Sequence, residues 1–353
     1  MSEFGIPEKL KVLKIGVVGT GPFSFYGSFN RAINNALPYN FYSMRITHIW
    51  GDDYRKNYKG STEYVKKMLD FWGDENHSPE GMAKQFNIPN VCTDFRDMAD
   101  EVDAALIMDF DRSYELSEPF LSRGKPIYIC SPVAVSVPEC EKILDLAEAN
   151  NAAVYTGAYS QDLYEERVRS QRIRRGDIAC FFSGTSIAFY TSYAPDGLDP
   201  IYRLIGPGVR KVALHGWDGS SGYDPTGLPV SRIHLEYEPR GDKPPIQGCL
   251  TLGGYRKTTS WYKIYYHDHT AVEGVTTTNW SQREQTLRDM LVQIQQTFVT
   301  NNSPETREDI LNKLKVLIAA YKSANEGGIP VNPDEIGDYR MPTVRIEKWD
   351  EIP

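Results

Sequence analysis

The sequence contains no apolar segment approaching the roughly 20 residues that a membrane-spanning helix needs. Residues 1–14 are polar and charged, without the apolar core of a secretory signal. Cysteine is also scarce, and the five cysteines form neither a CxxC pair nor a Cys/His spacing typical of a metal site. We therefore expect a cytoplasmic protein with reduced thiols, no membrane contact and no bound metal.

Basic residues are fewer than acidic ones: the sequence has 39 Lys and Arg and 47 Asp and Glu, which gives a net charge of −8. Binding a polyanion requires a basic surface, so this balance argues against a nucleic-acid partner. His267 and His269 form an H-x-H pair that a strand would place on one face, but no third ligand is evident. With 353 residues and 41% hydrophobic content, the chain is long enough for two domains.

The most informative segment, residues 13–24, is a β-branched run followed by two glycines. The run predicts a buried parallel strand that ends in a tight turn. Two glycines at this spacing are typical of a dinucleotide-binding turn, where backbone amides approach a pyrophosphate at a helix N-terminus. Ser24 stands where such a turn usually has Gly or Ala, and is small enough to pack there. The predicted cofactor-binding residues of this turn are Gly19, Thr20, Gly21, Pro22 and Phe23.

A second strand is predicted at residues 44–50, and two acids, Asp52 and Asp53, follow it closely. An acid at the tip of the second strand usually holds the ribose hydroxyls of NAD and repels the 2′-phosphate of NADP. Asp52 is therefore the candidate ribose ligand, with Asp53 in reserve, and NAD is favoured over NADP. The alternative is that both carboxylates are solvated turn residues.

Strand and helix patterns alternate six times between residues 13 and 156, which predicts a doubly wound parallel sheet of the α/β Rossmann type. A basic helix is then predicted at residues 163–175, followed by alternating segments typical of an open, mostly antiparallel sheet. Two long helices, 281–300 and 307–324, follow the sheet and give the second part an α+β character.

The change of pattern after residue 157 predicts the domain organisation. We expect a dinucleotide-binding domain at 1–157 and a substrate and oligomerisation domain at 158–328. Residues 329–353 are expected to form an extended tail that wraps over a neighbour or frays.

Three segments of the chain resemble the glucose–fructose oxidoreductase/inositol dehydrogenase family (Gfo/Idh/MocA). Residues 82–89 with 93–95 are similar to its A-x-x-F-G-I-P…Y-T-D-Y segment, and residues 124–134 to its G-K-H-V-L-C-E-K-P-L-A segment. Residues 309–324 resemble the helix before its final strand. The resemblance covers residues 13–332 and implies an oxidoreductase that uses NAD on a sugar, glycoside or polyol.

The chain departs from this family at the residues that handle protons. The family's lysine lies in its E-K-P tripeptide, where this chain has Cys130, Ser131 and Pro132. The family's D-x-G-x-H-x-x-D signature, aligned without gaps, ends on Asp199 and puts Asp196 in place of the histidine. Because a base must take the hydroxyl proton as hydride leaves, the resemblance implies that Asp196 replaces the missing base. It also implies cofactor contacts at Asp109, Ser131 and Pro132.

Further polar side chains fall at or near strand ends of the second domain and are candidates for the substrate cleft. Tyr159 and His215 are the candidate catalytic residues among them, and Asp162 and Tyr193 are further candidates to line the cleft. For each residue alone, a structural role is the alternative.

Three functions remain open at this stage. The first is an NAD-dependent oxidoreductase with altered acid/base residues that acts on a carbohydrate. The second is a redox-neutral, NAD-assisted elimination or hydrolysis of a glycoside. The third is a non-catalytic relative that serves as a partner subunit. In each case the half-apolar face of the open sheet predicts a homodimer or homotetramer through that sheet.

Overall fold

A computed structural model of the chain contains two six-stranded sheets with helices packed on them. The residues that it describes are 12–19, 33–34, 43–51, 78–109, 112–130, 132–157, 172–185, 194–216, 231–252, 259–277 and 280–341. Among the helices of these ranges, none is both long and apolar enough to cross a bilayer. All five cysteines lie within these ranges as free thiols.

The first sheet is parallel throughout. Its strands are β1 (Leu13–Val18), β2 (Met44–Trp50), β3 (Asn90–Val91), β4 (Ala104–Ile107), β5 (Ile127–Ile129) and β6 (Val154–Tyr155). In the described residues, the helices that accompany them are α1 (Pro79–Phe86), α2 (Phe95–Glu101), α3 (Ser113–Leu121) and α4 (Val137–Ala149). The strand order β3-β2-β1-β4-β5-β6 is that of a doubly wound nucleotide-binding sheet, with its switch point between β1 and β4.

Local sequence signals explain where these elements begin and end. Ser78 caps α1 by accepting the Gly81 N–H at 3.0 Å, and Asn87 ends the helix in the left-handed conformation. Asp94 caps α2 in the same way through the Arg96 N–H. Strands β4 and β5 are buried at every position, as expected where both faces of a sheet are covered.

The second sheet is mixed but mostly antiparallel. Its strands are β7 (Ile178–Thr185), β8 (Val209–His215), β9 (Ser231–Tyr237), β10 (Gln247–Leu252), β11 (Thr259–Tyr266) and β12 (Ala271–Thr277). The strand order is β12-β11-β7-β10-β9-β8, and the β7–β10 pair is parallel while the other neighbours are antiparallel. This sheet and the first together confirm the predicted fold class.

One face of the second sheet is buried and the other is open. In β9, Ile233 and Leu235 are buried while Arg232 and His234 are exposed, which confirms the predicted alternation. The outward face also carries large apolar side chains, since Phe182 is 47% exposed and Trp261 is 41% exposed. We call this exposed face, which carries Phe182 and Trp261, the outer face.

The part of the chain after residue 157 that the structure describes also contains the helices α5 (Ala194–Ile205), α6 (Trp280–Thr300) and α7 (Arg307–Asn325). Helix α6 packs Leu291 and Ile294 into the core around β1, β2 and α1. Helix α7 begins with a capping box formed by Thr306 and Asp309, and it packs on β8, where Ser323 Oγ accepts the Leu214 N–H. The helices that follow the second sheet therefore pack against both halves of the molecule.

Two predicted segments differ from the observed ones. The basic helix predicted to run to Arg175 does not include its last residues, because Arg172 has a φ of 51° and Arg175–Asp177 form a 3₁₀ turn. The beginning of that segment, 163–171, lies outside the described residues. The described part of the predicted tail packs on its own chain: Val331 pairs with Val212, and the Met341 N–H donates to the Val135 carbonyl at 2.9 Å.

Candidate functional site at the carboxyl edge of the parallel sheet

The carboxyl ends of β1, β2 and β4 meet around Gly19. Gly19 has a φ of 94°, and its N–H donates to the Trp50 carbonyl at 2.8 Å. A Cβ at this position would lie 3.1 Å from the Asp109 Cβ and 3.2 Å from the Asp109 backbone nitrogen. Only glycine tolerates both this conformation and this close approach. Gly19, the last described residue after β1, therefore has the backbone conformation expected where a dinucleotide-binding turn begins.

The Arg112 side chain lies between the carboxyl ends of β4 and β2 at this edge. Asp109 follows β4, and its Oδ2 accepts hydrogen bonds from Arg112 Nε at 3.1 Å and Nη2 at 2.8 Å. The guanidinium carbon of Arg112 lies 5.6 Å from the centroid of the Trp50 ring at the end of β2. Because β1 lies between β2 and β4, Arg112 connects the two strands that flank the Gly19 turn.

A buried charge network occupies the other half of the edge, beyond β5 and β6. Glu305 Oε2 accepts hydrogen bonds from the Thr156 N–H at 2.8 Å and the Thr156 hydroxyl at 3.0 Å. The Lys313 ammonium lies 2.5 Å from Glu305 Oε1 and 3.1 Å from Asp199 Oδ2, and Arg203 lies 3.6 Å from Glu305. Asp199, Glu305 and Lys313 are 4%, 5% and 8% exposed, so the charges are compensated by one another rather than by water.

The network fixes the ionisation of its members. Burial raises the pKa of Asp199, and the neighbouring Lys313 offsets only part of that rise. Burial also acts to raise the pKa of Glu305, but Lys313, Arg203 and the Thr156 N–H together hold it below its usual 4.5. Burial acts to lower the pKa of Lys313, and the two carboxylates outweigh it and hold the pKa above 10.5. Lys313 is therefore a fixed cation and hydrogen-bond donor, and not a base, at neutral pH.

A small cavity lies beside this network. Its volume of about 20 Å³ is enough for about one water molecule. The lining residues are Pro132, Val133, Thr156, Ile310, Lys313, Leu314 and Leu317. The network thus lies next to Pro132, one of the residues that the sequence assigned to the cofactor.

The predicted site residues are distributed between this edge and other surfaces. Gly19, Asp109 and Pro132 all follow strands of the first sheet at its carboxyl edge. Asp196 belongs to α5, one turn before Asp199, and its side chain is not among those described. His215 is the exposed last residue of β8, with its ring 5.6 Å from that of His234. Outside the described residues lie Thr20, Gly21, Pro22, Phe23, Asp52, Asp53, Ser131, Tyr159, Asp162 and Tyr193.

Arg112, Glu305 and Lys313 were not predicted from the sequence. A signal for Lys313 exists, since it falls between Ile310 and Leu314 in the apolar stripe of an amphipathic helix. A charged residue in such a stripe requires a buried partner. No corresponding pattern in the sequence marks Arg112. Among the described residues, no cluster of three or more His, Cys, Asp or Glu is arranged to hold a metal ion.

No protein-family model matches the sequence, and no curated protein matches it either. Solved structures do match, over most of the chain. A probable dehydrogenase from Thermotoga maritima is 13% identical, with a TM-score of 0.64 over 92% of this chain and 100% of that one. Scyllo-inositol dehydrogenase from Lactobacillus casei, with bound NAD(H) and scyllo-inositol, is 16% identical, with a TM-score of 0.65 over 92% and 100%. GenD2 from gentamicin A biosynthesis, in complex with NAD, is 13% identical, with a TM-score of 0.65 over 92% and 97%.

These similarities establish the fold. The chain has the architecture of sugar and inositol dehydrogenases, with a Rossmann-like parallel sheet followed by a mostly antiparallel sheet. This is the architecture that the sequence resemblance predicted. Identities of 13–16% leave the chemistry to be argued from the residues of this chain.

Proposed function

We propose that this chain is a nicotinamide-dependent oxidoreductase that oxidises a carbinol of a sugar, glycoside or polyol. The observation that supports the proposal most directly is the Gly19 turn, where an added Cβ would approach Asp109 to 3.1 Å. Ligands of open parallel sheets bind outside the carboxyl ends of the strands at the switch point, which here lies between β1 and β4. A neighbour of the same fold binds NAD(H) and scyllo-inositol.

The residues present fit a dinucleotide. The Gly19 turn would let backbone amides approach the pyrophosphate, and Asp109 and Pro132 follow the strands that border the nicotinamide half. When bound, the nicotinamide ring accepts a hydride from the carbinol carbon. NAD is proposed over NADP because of the acid at Asp52.

Asp196 remains the proposed base. Loss of hydride from a carbinol requires removal of its hydroxyl proton, and Ser131 has no basic group for that step. Lys313 is held as a cation by two carboxylates and cannot accept the proton. Asp196 lies one turn before Asp199 on α5, and the Asp199–Lys313 pair anchors that helix to α7.

The test is a panel of polyols, sugars and glycosides incubated with the purified protein and NAD⁺ or NADP⁺. Appearance of reduced nicotinamide with one class of substrate supports the proposal. The variant Asp196→Asn should abolish turnover and leave cofactor affinity nearly intact. Consumption of a glycoside without net reduction would instead indicate redox-neutral elimination, and normal turnover in Asp196→Asn would remove this residue from the mechanism.

A second candidate function is a non-catalytic, nucleotide-binding partner subunit. The observation that favours it is the burial of Asp199, whose carboxylate pairs with Lys313 and is 4% exposed. An acid so enclosed does not contact a substrate. Binding of NADH without turnover of any compound in the panel would support this function.

We also propose that copies of the chain associate through the outer face into a homodimer or homotetramer. Phe182 and Trp261 leave apolar area exposed on this face, which favours burial against a second copy.

A further inference from the structure

Arg112 bridges the two strand ends that flank the Gly19 turn, and the proposed function gives this bridge no role. Its guanidinium is bonded twice to Asp109 and faces the Trp50 ring. The Arg112 and Asp109 side chains are 23% and 18% exposed, so the pair is partly accessible to a ligand at this edge. We propose that Arg112 provides the surface on which the adenine ring of the dinucleotide stacks, an inference that rests on the proposed function.

The location of Arg112 fits this role. In a doubly wound sheet the ribose of the adenosine half is held at the tip of the second strand, so adenine lies toward β2 rather than toward β5. Arg112 extends from the end of β4 to the end of β2 across β1. An adenine ring directed toward β2 from the Gly19 turn therefore meets the guanidinium.

The plane of the guanidinium is fixed before any ligand binds. Two hydrogen bonds from one side of the fork to Asp109 Oδ2 hold its orientation. Trp50 is held in turn, because its Nε1 donates to the Thr93 carbonyl at 3.3 Å and its ring packs 4.9 Å from that of Phe95. Phe95 is 2% exposed, so Trp50, which contacts Arg112, is itself packed against the hydrophobic core. A preordered planar group loses little conformational entropy when a base stacks on it.

The charge balance favours stacking over phosphate binding. The Asp109 carboxylate lies 2.8 Å from Arg112 Nη2 and compensates the charge of the guanidinium, which makes it a weaker phosphate ligand. A guanidinium in such a pair still stacks on aromatic rings. The inference therefore predicts equal contributions to NADH and NADPH, because adenine is common to both.

The experiment measures dissociation constants of the purified protein for NADH, NADPH, AMP and nicotinamide mononucleotide. Arg112→Leu should weaken the three adenine-containing ligands alike, by about 5- to 100-fold, and leave nicotinamide mononucleotide unchanged. Arg112→Lys keeps the positive charge but removes the planar guanidinium, and it should weaken binding of the same three ligands to a similar extent. Asp109→Asn retains the Arg112 guanidinium but weakens the hydrogen bonds that orient it. This variant should lose less affinity for the three adenine-containing ligands than Arg112→Leu.

Arg96→Leu is the matched control. Arg96 lies 4.4 Å from the Phe95 centroid and bonds Asp94, so it is also an arginine between a carboxylate and an aromatic ring. Arg96 lies on α2, which follows β3, whereas Gly19 follows β1. The loss of the Arg96 side chain should not change the affinity for any of the ligands. Thermal unfolding of each variant verifies that the fold is retained.

Each other outcome overturns the inference. A loss confined to NADPH would assign Arg112 to the 2′-phosphate, and full affinity in Arg112→Lys would show that charge suffices. Tighter binding by Arg112→Leu would show that Arg112 fills the adenine site. Unchanged affinities in Arg112→Leu would reject adenine stacking but keep the proposed function, whereas a wild-type protein that binds none of the ligands would reject both.

Discussion

Lys313 on α7 forms a buried ion pair with Asp199 on α5, with Nζ and Oδ2 3.1 Å apart. Glu305 extends the pair to the first sheet, because it accepts the Lys313 ammonium on one oxygen and Thr156 on the other. The helix that carries Asp196 is thereby tied to the end of β6. The relative position of the proposed base and the cofactor edge thus depends on charges that are buried away from bulk water.

Lys313→Met should lower the free energy of unfolding by about 3–5 kcal/mol, because it removes the one cation that bonds both buried carboxylates and leaves only Arg203 near Glu305. Lys315→Met is the control on the same helix. Lys315 pairs with Asp334, whose side chain is 74% exposed, and its loss should cost no more than about 1 kcal/mol. Urea unfolding of the three proteins measures both values. Equal stability of the two variants would contradict a buried ionic link at Lys313.

Glu305 should make the fold sensitive to acid. Its pKa in the folded protein is below the 4.5 of the unfolded chain, so its stabilising contribution is complete above pH 4.5 and is lost as pH falls through the folded value. Asp199 acts in the opposite sense, since its raised pKa means that its protonation favours the folded state. The comparison is therefore made in the Asp199→Asn background, which removes this second titration.

Two proteins are compared, the single variant Asp199→Asn and the double variant Asp199→Asn/Glu305→Gln. As the pH falls below 4.5, the free energy of unfolding should decrease more steeply in the single variant, which still contains Glu305. Urea unfolding at a series of pH values between neutral and acid conditions gives the two curves. Parallel curves would show that Glu305 does not titrate with a lowered pKa.

The alternation of strand and helix patterns predicted the parallel sheet well. The second strand, predicted at residues 44–50, is observed at Met44–Trp50. The glycine after β1 was predicted from local sequence alone, because a strand that ends in a tight turn requires a residue that adopts a positive φ. Its close contact with Asp109, 90 residues away, was not predicted.

What the sequence did not predict depends on distant pairings. Strand Ala271–Thr277 has a weak apolar pattern and is defined by its register with β11. Thr156 and Glu305 are 149 residues apart, and nothing local in either segment indicates that they meet. The Lys313 network was missed for this reason, although the lysine in an apolar stripe signals that some partner exists.

Gly19→Ala should reduce the affinity for NADH by at least about tenfold. The added methyl would approach the Asp109 Cβ to 3.1 Å and displace the turn that contacts the pyrophosphate. Gly241→Ala is the matched control, because Gly241 also has a positive φ of 65° but a Cβ there meets no atom within 4 Å. Both variants bear the same kind of backbone strain, so similar NADH affinities in the two would reject a specific role for Gly19.

Trp261→Glu on the outer face should convert an oligomer to a monomer, because it places a charge in the proposed interface between copies. Val299→Glu is the control, since Val299 is a 57% exposed apolar residue on α6, away from that face. Sedimentation velocity gives the masses. A monomeric wild-type protein, or an unchanged mass in Trp261→Glu, would show that the outer face is not the interface.

The central claim is that a nicotinamide dinucleotide binds at the carboxyl edge beside Gly19, and calorimetric titration of the wild-type protein with NADH and NADPH tests it most directly. We expect saturable binding at one site per chain with a dissociation constant below about 1 mM for at least one of the two. The absence of saturable binding for both dinucleotides, in protein shown to be folded, would contradict the claim.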